Sequence, residues 1–169
     1  MVLNKHRTYK DVHGGKLNVF QVRLPLNSEA NELKRTGGRD MIYGIGHDIL
    51  EVERITRILD GKSKQRFLQR VLTPNELDEA EKRESRLSEW VAGRFAVKEA
   101  LAKAFGVGIS QQLGFQDIEV LPDRNGKPVA QLSTAAWERL GMNSSNTCLH
   151  VTISHQPGLA SAFCIIEQV

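Results

Sequence analysis

The chain has 169 residues, 40% of them hydrophobic, enough for one modest core. No apolar run approaches the roughly 18–20 residues that span a bilayer, and no secretory hydrophobic stretch opens the sequence, so a cytoplasmic protein with no membrane contact is expected. The net charge of +3 sits unevenly: residues 1–40 carry eight Lys/Arg against four Asp/Glu, and residues 41–169 carry fifteen against sixteen, which leaves the larger part no general basic surface for nucleic acid.

In chain order, residues 1–40 show no sustained helical period, only a short alternation around Leu17–Leu26. They read as an extension, disordered or translated from upstream, because Gly37-Gly38-Arg39 before Met41 is what an in-frame ribosome-binding site would encode. Residues 41–50 alternate as a strand, with Tyr43, Ile45, His47 and Ile49 on one face and Ile42, Gly44, Gly46, Asp48 and Leu50 on the other. Glu51–Leu59 is helical in tendency, Asp60-Gly61-Lys62 breaks it, and Gln65–Leu72 is a short basic segment. Thr73-Pro74-Asn75-Glu76 is a capping-box start for a helix over 74–83.

Arg86–Phe105 reads as one long helix stopped by Gly106 and Gly108. Strands follow over Phe115–Leu121 and Val129–Leu132, then a short helix over Ser133–Leu140 and a polar loop over Gly141–Asn146. Cys148–Ser154 and Leu159–Glu167 close the chain as a strand pair around His155-Gln156-Pro157-Gly158. Cys148 and Cys164 are expected as buried thiols rather than a disulfide framework or metal cluster. The pattern is α+β, with a small antiparallel sheet packed on a long helix.

Two acidic positions stand out. In the long helix, Ala92, Phe95, Ala96, Glu99 and Ala102 share a side, so the Glu99 carboxylate lies in a row of small and apolar residues. An ionised carboxylate there needs a cation, a hydrogen-bond set or a raised pKa. Arg94 and Lys98 edge the same helix, and Lys103 lies one turn beyond Glu99. A divalent metal held with phosphates satisfies that arrangement, and so does a plain Glu99–Lys103 ion pair. In the first strand, Gly44 and Gly46 precede Asp48 on its own face and leave open backbone, either for a ligand or for packing against the small-residue helix.

Gly44-Ile45-Gly46-His47-Asp48, followed further along by Arg94-Phe95-Ala96-Val97-Lys98-Glu99-Ala100-Leu101-Ala102-Lys103, resembles the two-part signature of the 4′-phosphopantetheinyl transferases, and within them the short bacterial type. Arg66-Phe67…Arg70-Val71-Leu72-Thr73, Phe105-Gly106-Val107-Gly108-Ile109, Phe115-Gln116-Asp117-Ile118-Glu119, Asn125-Gly126-Lys127-Pro128 and Val151-Thr152-Ile153-Ser154-His155 extend the resemblance over residues 41–169. It implies the fold of that family, a homotrimer with active sites between subunits, and transfer of 4′-phosphopantetheine from coenzyme A to a serine of apo-acyl carrier protein in support of fatty acid synthesis. Adenosine 3′,5′-bisphosphate is then the leaving group.

It further implies Asp48 and Glu99 as ligands of magnesium, with manganese as the alternative ion, a choice that suits oxygen donors and substrate phosphates. Glu99 and Lys103 become the catalytic pair. Arg94, Lys98, Lys103, Gly106 and His155 become contacts to coenzyme A, although Gly106 also reads as a helix cap. His47, in place of the aliphatic residue usual before the aspartate, should face away from Asp48.

Residues 54–70 hold six Lys/Arg against one Asp, a net of +5 in a body (residues 41–169) of net −1, a suitable dock for an acidic carrier protein through Arg54, Ile58, Arg66, Phe67 and Arg70. Two other readings compete. One is a different metal-dependent phosphate or pyrophosphate enzyme on the same carboxylates. The other is a nucleic-acid module built on the 54–70 segment, disfavoured by an aromatic content of 6%.

Overall fold

The computed structural model describes residues 7–10, 16–19 and 41–169. In the N-terminal segment, β1 (Arg7–Lys10) and β2 (Lys16–Val19) pair antiparallel, with Arg7 opposite Val19 and Lys10 opposite Lys16. This ladder lies in a stretch that the sequence reading leaves without regular structure. Most of the alternation expected at Leu17–Leu26, and the rest of the extension, lie outside the described residues.

Residues 41–168 form a separate unit. It opens with β3 (Met41–Glu51), which runs into α1 (Val52–Leu59), and continues through α2 (Lys64–Val71), α3 (Pro74–Glu81) and α4 (Leu87–Ala104). A hairpin of β4 (Ile118–Pro122) and β5 (Pro128–Leu132) follows, then α5 (Thr134–Leu140), β6 (Thr147–Gln156) and β7 (Leu159–Gln168). The main sheet has the antiparallel order β3-β7-β6, so the expected α+β arrangement holds.

Local chemistry accounts for most boundaries. Thr73 caps α3 reciprocally with Glu76, its hydroxyl accepting from the Glu76 N–H at 3.4 Å and its own N–H donating to Glu76 Oε2 at 2.8 Å. Ser133 caps α5 by accepting from the Ala136 N–H at 3.1 Å. Two elements differ from the sequence reading. The basic stretch after Lys62 is a full helix, α2, anchored by buried Leu68 and Val71. The strand expected from Phe115 starts at Ile118, because Phe115–Asp117 winds a 3₁₀ turn whose Asp117 carboxylate accepts the Gly114 N–H at 2.9 Å. Cys148 is exposed on β6, and only Cys164 is buried. Burial pushes the Cys164 thiol up to about 12, with the charge of Asp48 adding to the effect.

The strand–helix contact is unusually close. A β-carbon at Gly44 would lie 2.0 Å from the Ala104 carbonyl oxygen, and one at Gly46 1.9 Å from that of Ala100. Glycine therefore lets β3 lie directly on the carbonyls of α4. On its sheet side α4 meets β3, β7 and β6, and elsewhere α1, α3 and β4, so it is enclosed nearly all round.

That enclosure includes cations. Lys98 is 0% exposed, and its ammonium donates to Glu76 Oε2 at 2.5 Å, the Val71 carbonyl at 2.6 Å and the Phe115 carbonyl at 3.1 Å. Glu76, also 0% exposed, accepts the Val120 N–H on its other oxygen at 2.9 Å. Burial pulls the Lys98 pKa below the ordinary lysine value, against the opposing pull of Glu76. Removing one partner of such a pair leaves an uncompensated buried charge, at about 3–5 kcal/mol. Lys98→Met should therefore lower the unfolding free energy in urea by about that amount, and Lys98→Met with Glu76→Leu should recover much of it. Equal losses in the single and double variants would show that the pair is not what holds this region.

Candidate active site

From Trp90 to Phe105 every residue is buried except Glu99 and Lys103. These two lie one helical turn apart, so this stretch of α4 reaches solvent along a single line bearing one carboxylate and one ammonium. The line faces the end of β3. Asp48, on the inner sheet face two residues beyond Gly46, stands opposite the small, buried Ala162 of β7. Its Oδ1 accepts from Lys103 Nζ at 2.8 Å, and the same ammonium donates to the His47 carbonyl at 3.0 Å. The Asp48 and Lys103 side chains are 13% and 20% exposed, sheltered but open to a ligand. Lys103 thus pairs with Asp48 across the elements.

As a metal site, two half-buried carboxylates with solvent access suit magnesium or manganese, which are held by one or two carboxylates plus substrate phosphates. Among the described residues no three His, Cys, Asp or Glu side chains cluster, so the donor set does not suit an all-protein zinc site. His47 does face away, its Nε2 lying 2.9 Å from Ser161 Oγ on the outer sheet face.

Several expected contacts are corrected. Lys98 cannot reach a coenzyme phosphate, since its three donors are spent on buried acceptors. Arg94, one turn earlier on the same inward face, is 7% exposed; its guanidinium lies 4.2 Å from the centre of the Trp90 ring and donates to the Val120 carbonyl at 3.3 Å. Burial lowers its pKa to about 10, so it stays charged but is committed to the core. The sequence reading put Arg94 and Lys98 along an edge of the helix beside the Glu99 face, whereas both point into the core.

Gly106, at φ 73°, is the left-handed cap of α4: its N–H donates to the Lys103 carbonyl at 2.9 Å and the Val107 N–H to that of Ala102 at 3.1 Å. The cap holds the last turn, and with it Lys103, in place. His155 lies on β6 beside Gly93, where a β-carbon would meet its ring at 3.2 Å; burial, opposed by Glu89, pulls its pKa below the ordinary histidine value. Gly93 is nearly two turns before Glu99, so this chain does not itself bring His155 to the Asp48–Lys103 pair.

Along the basic segment, Arg66 and Arg70 are exposed, and Arg54 and Ile58 half-exposed. Phe67, between Arg66 and Arg70, is half-buried, its ring stacking on Phe95 at 6.4 Å and joining α2 to the core. Two residues that matter here were missed. Glu76 was legible only as a capping residue, since nothing local announces a buried lysine as its second partner. Gln116 sat in a recognised motif without a role, and its amide donates to the Gln69 and Leu72 carbonyls, each at 2.7 Å.

Comparison with known proteins agrees with this geometry. The family model of the 4′-phosphopantetheinyl transferase superfamily matches residues 44–164, a span holding Asp48, Glu99, Lys103 and Gly106. The holo-[acyl-carrier-protein] synthase of Bacillus subtilis is 47% identical over 133 residues, covering 76% of this chain and 98% of the relative, and that of Bacillus cereus is 45% identical over 130 residues, covering 76% and 98%. Among solved structures, the Bacillus anthracis synthase in complex with CoA (3′,5′-ADP) aligns with a TM-score of 0.64 at 42% identity over 76% of this chain and 99% of that one. The Neisseria meningitidis synthase aligns with a TM-score of 0.69 at 36% identity over 76% and 100%. By sequence and by fold, the chain belongs to the 4′-phosphopantetheinyl transferase superfamily.

Proposed function

We propose that this chain transfers 4′-phosphopantetheine from coenzyme A to a serine of apo-acyl carrier protein, as a holo-[acyl-carrier-protein] synthase. The carrying observation is that from Trp90 to Phe105 only Glu99 and Lys103 are not buried, with Asp48 of β3 paired to Lys103 at 2.8 Å. Relatives that share nearly their whole length with this chain bear that name, and one solved relative is described as a complex with CoA.

In this reading Asp48 and Glu99 hold a magnesium ion, with manganese as the alternative. A divalent ion bound there supplies neutralising charge to pyrophosphate oxygens. Lys103 presents its ammonium to the same phosphates and stabilises the charge that develops on the departing bisphosphate as the serine hydroxyl attacks the β-phosphorus. The β3–α4 contact fixes the distance between strand and helix, and the cap at Gly106 fixes the last turn, so these groups are oriented before substrate arrives.

The acidic carrier docks on the exposed Arg66 and Arg70 of α2, with Arg54 and Ile58 of α1 beside them. Self-association, with sites completed between subunits, is supported by the outer sheet face, where Ile45 is 55%, Ile49 56% and Phe163 41% exposed. Such an assembly would bring a second chain's His155 within reach of the coenzyme. A cytoplasmic setting and a role in fatty acid synthesis follow from the proposed reaction, and no helix among the described residues is long and apolar enough to cross a membrane.

Incubating the chain with magnesium, coenzyme A and apo-carrier protein should raise the carrier's intact mass by one phosphopantetheine group. Asp48→Ala and Glu99→Gln should each lower kcat/KM by about 100-fold or more. Breakdown of coenzyme A with an unmodified carrier would instead identify a pyrophosphate hydrolase on the same carboxylates. Raising ionic strength from about 0.05 to 0.3 M should raise the KM for the carrier while leaving kcat nearly constant, because exposed charge attraction is screened over that range. A KM for the carrier indifferent to salt would remove the basic dock from the account.

A further inference from the structure

The C-terminal end of α2 is closed without glycine. Its last carbonyls face other parts of the chain, and a helix end must find partners for them. Gln116 supplies two: its amide nitrogen donates both protons, one to the Gln69 carbonyl and one to the Leu72 carbonyl, each at 2.7 Å. Lys98 supplies a third at the Val71 carbonyl, 2.6 Å away, and places a cation at the negative end of the helix dipole. Two carbonyl acceptors on one nitrogen also leave the amide a single sensible orientation.

The platform carrying Gln116 is itself rigid. Phe115, the preceding residue, packs its ring 5.1 Å from that of Phe95 and gives its carbonyl to Lys98. Asp117, the following one, accepts from the Gly114 N–H at 2.9 Å, from Ser133 Oγ at 2.8 Å and from Arg139 at 2.6 Å. Gln116 remains exposed between these anchors, and little of its volume contributes to the core. The helix it grips has only eight residues and carries Arg66 and Arg70 on its solvent side. So short a helix has little stability of its own, and its direction follows from what holds its ends.

We propose that Gln116, backed by Lys98, is a positioning residue for carrier-protein docking: it clamps the end of α2 and so sets where Arg66 and Arg70 stand relative to the Asp48–Glu99 edge. This rests on the proposed docking of the carrier at α2. The clamp acts on one substrate only, since Gln116 grips α2 and none of the residues assigned to coenzyme A.

The test uses the full chain. Gln116→Met removes both donors at nearly constant volume and without a change of charge, and Arg66→Ala serves as the docking control. Gln116→Met should raise the KM for the carrier by about 3- to 10-fold, as two lost hydrogen bonds imply, with the KM for coenzyme A unchanged and faster amide hydrogen exchange confined to residues 66–72. If Arg66→Ala raises the carrier KM and Gln116→Met does not, the clamp is refuted and docking at α2 stands. If neither raises it, docking at α2 fails and takes the clamp with it. A parallel rise in both KM values, or faster exchange extending into α4, would identify general loosening and overturn the proposal.

Discussion

The oxygen atoms of Ala100 and Ala104 lie where the β-carbons of any residue other than glycine at positions 46 and 44 would have to go, at 1.9 and 2.0 Å. This steric constraint orders much of the molecule. It brings β3 onto the carbonyls of α4, requires small residues along the facing helix side, and carries Asp48, two residues further on, to the edge where Glu99 and Lys103 reach solvent. A side chain at either glycine would lift the strand, and the 2.8 Å contact between Asp48 and Lys103 would open with it.

The helix on the other side of that contact sorts its charges by direction. Arg94 and Lys98 point into the protein and are consumed in holding α3, α2 and β4 around the helix, through Glu76 and the carbonyls of Val71, Phe115 and Val120. Glu99 and Lys103 lie along the line where this stretch of the helix reaches solvent, with Lys103 paired to Asp48. The three cations of the ten-residue stretch Arg94–Lys103 look equivalent in sequence yet do different work: Arg94 and Lys98 hold the core, and Lys103 meets Asp48 at the surface. A buried ion pair is a costly way to gain stability, and its use here fits a need for one fixed arrangement of the docking helix against the site helix.

Much of this was legible in the sequence. The alternation of β3, the capping box at Thr73, the glycine stop after Phe105 and the α+β order all follow from local rules, and each is met by a specific hydrogen bond or φ angle. Asp48 and Glu99 stood out in the sequence as well, since each places a carboxylate on a face of small and apolar residues, where it needs a partner. What could not be read was direction within an enclosed helix. Buried nearly all round, α4 has no amphipathic period to show which of Arg94, Lys98, Glu99 and Lys103 faces outward. Tertiary partners decide that, and Glu76 lies too far from Lys98 in sequence for spacing to announce it. The packing of Phe67 was hidden in the same way: nothing near it in sequence shows that Phe95 lies beneath its ring.

In the proposed reaction two carboxylates, Asp48 of β3 and Glu99 of α4, bind a single divalent ion beside Lys103. Manganese titration followed by electron paramagnetic resonance, with coenzyme A present, tests it without reference to turnover. One bound ion per chain is expected in the unaltered protein, with affinity falling about 10-fold or more in both Asp48→Asn and Glu99→Gln while each variant stays folded. Undiminished manganese affinity in either variant would contradict the claim, because a shared ion cannot be indifferent to the loss of one of its two ligands.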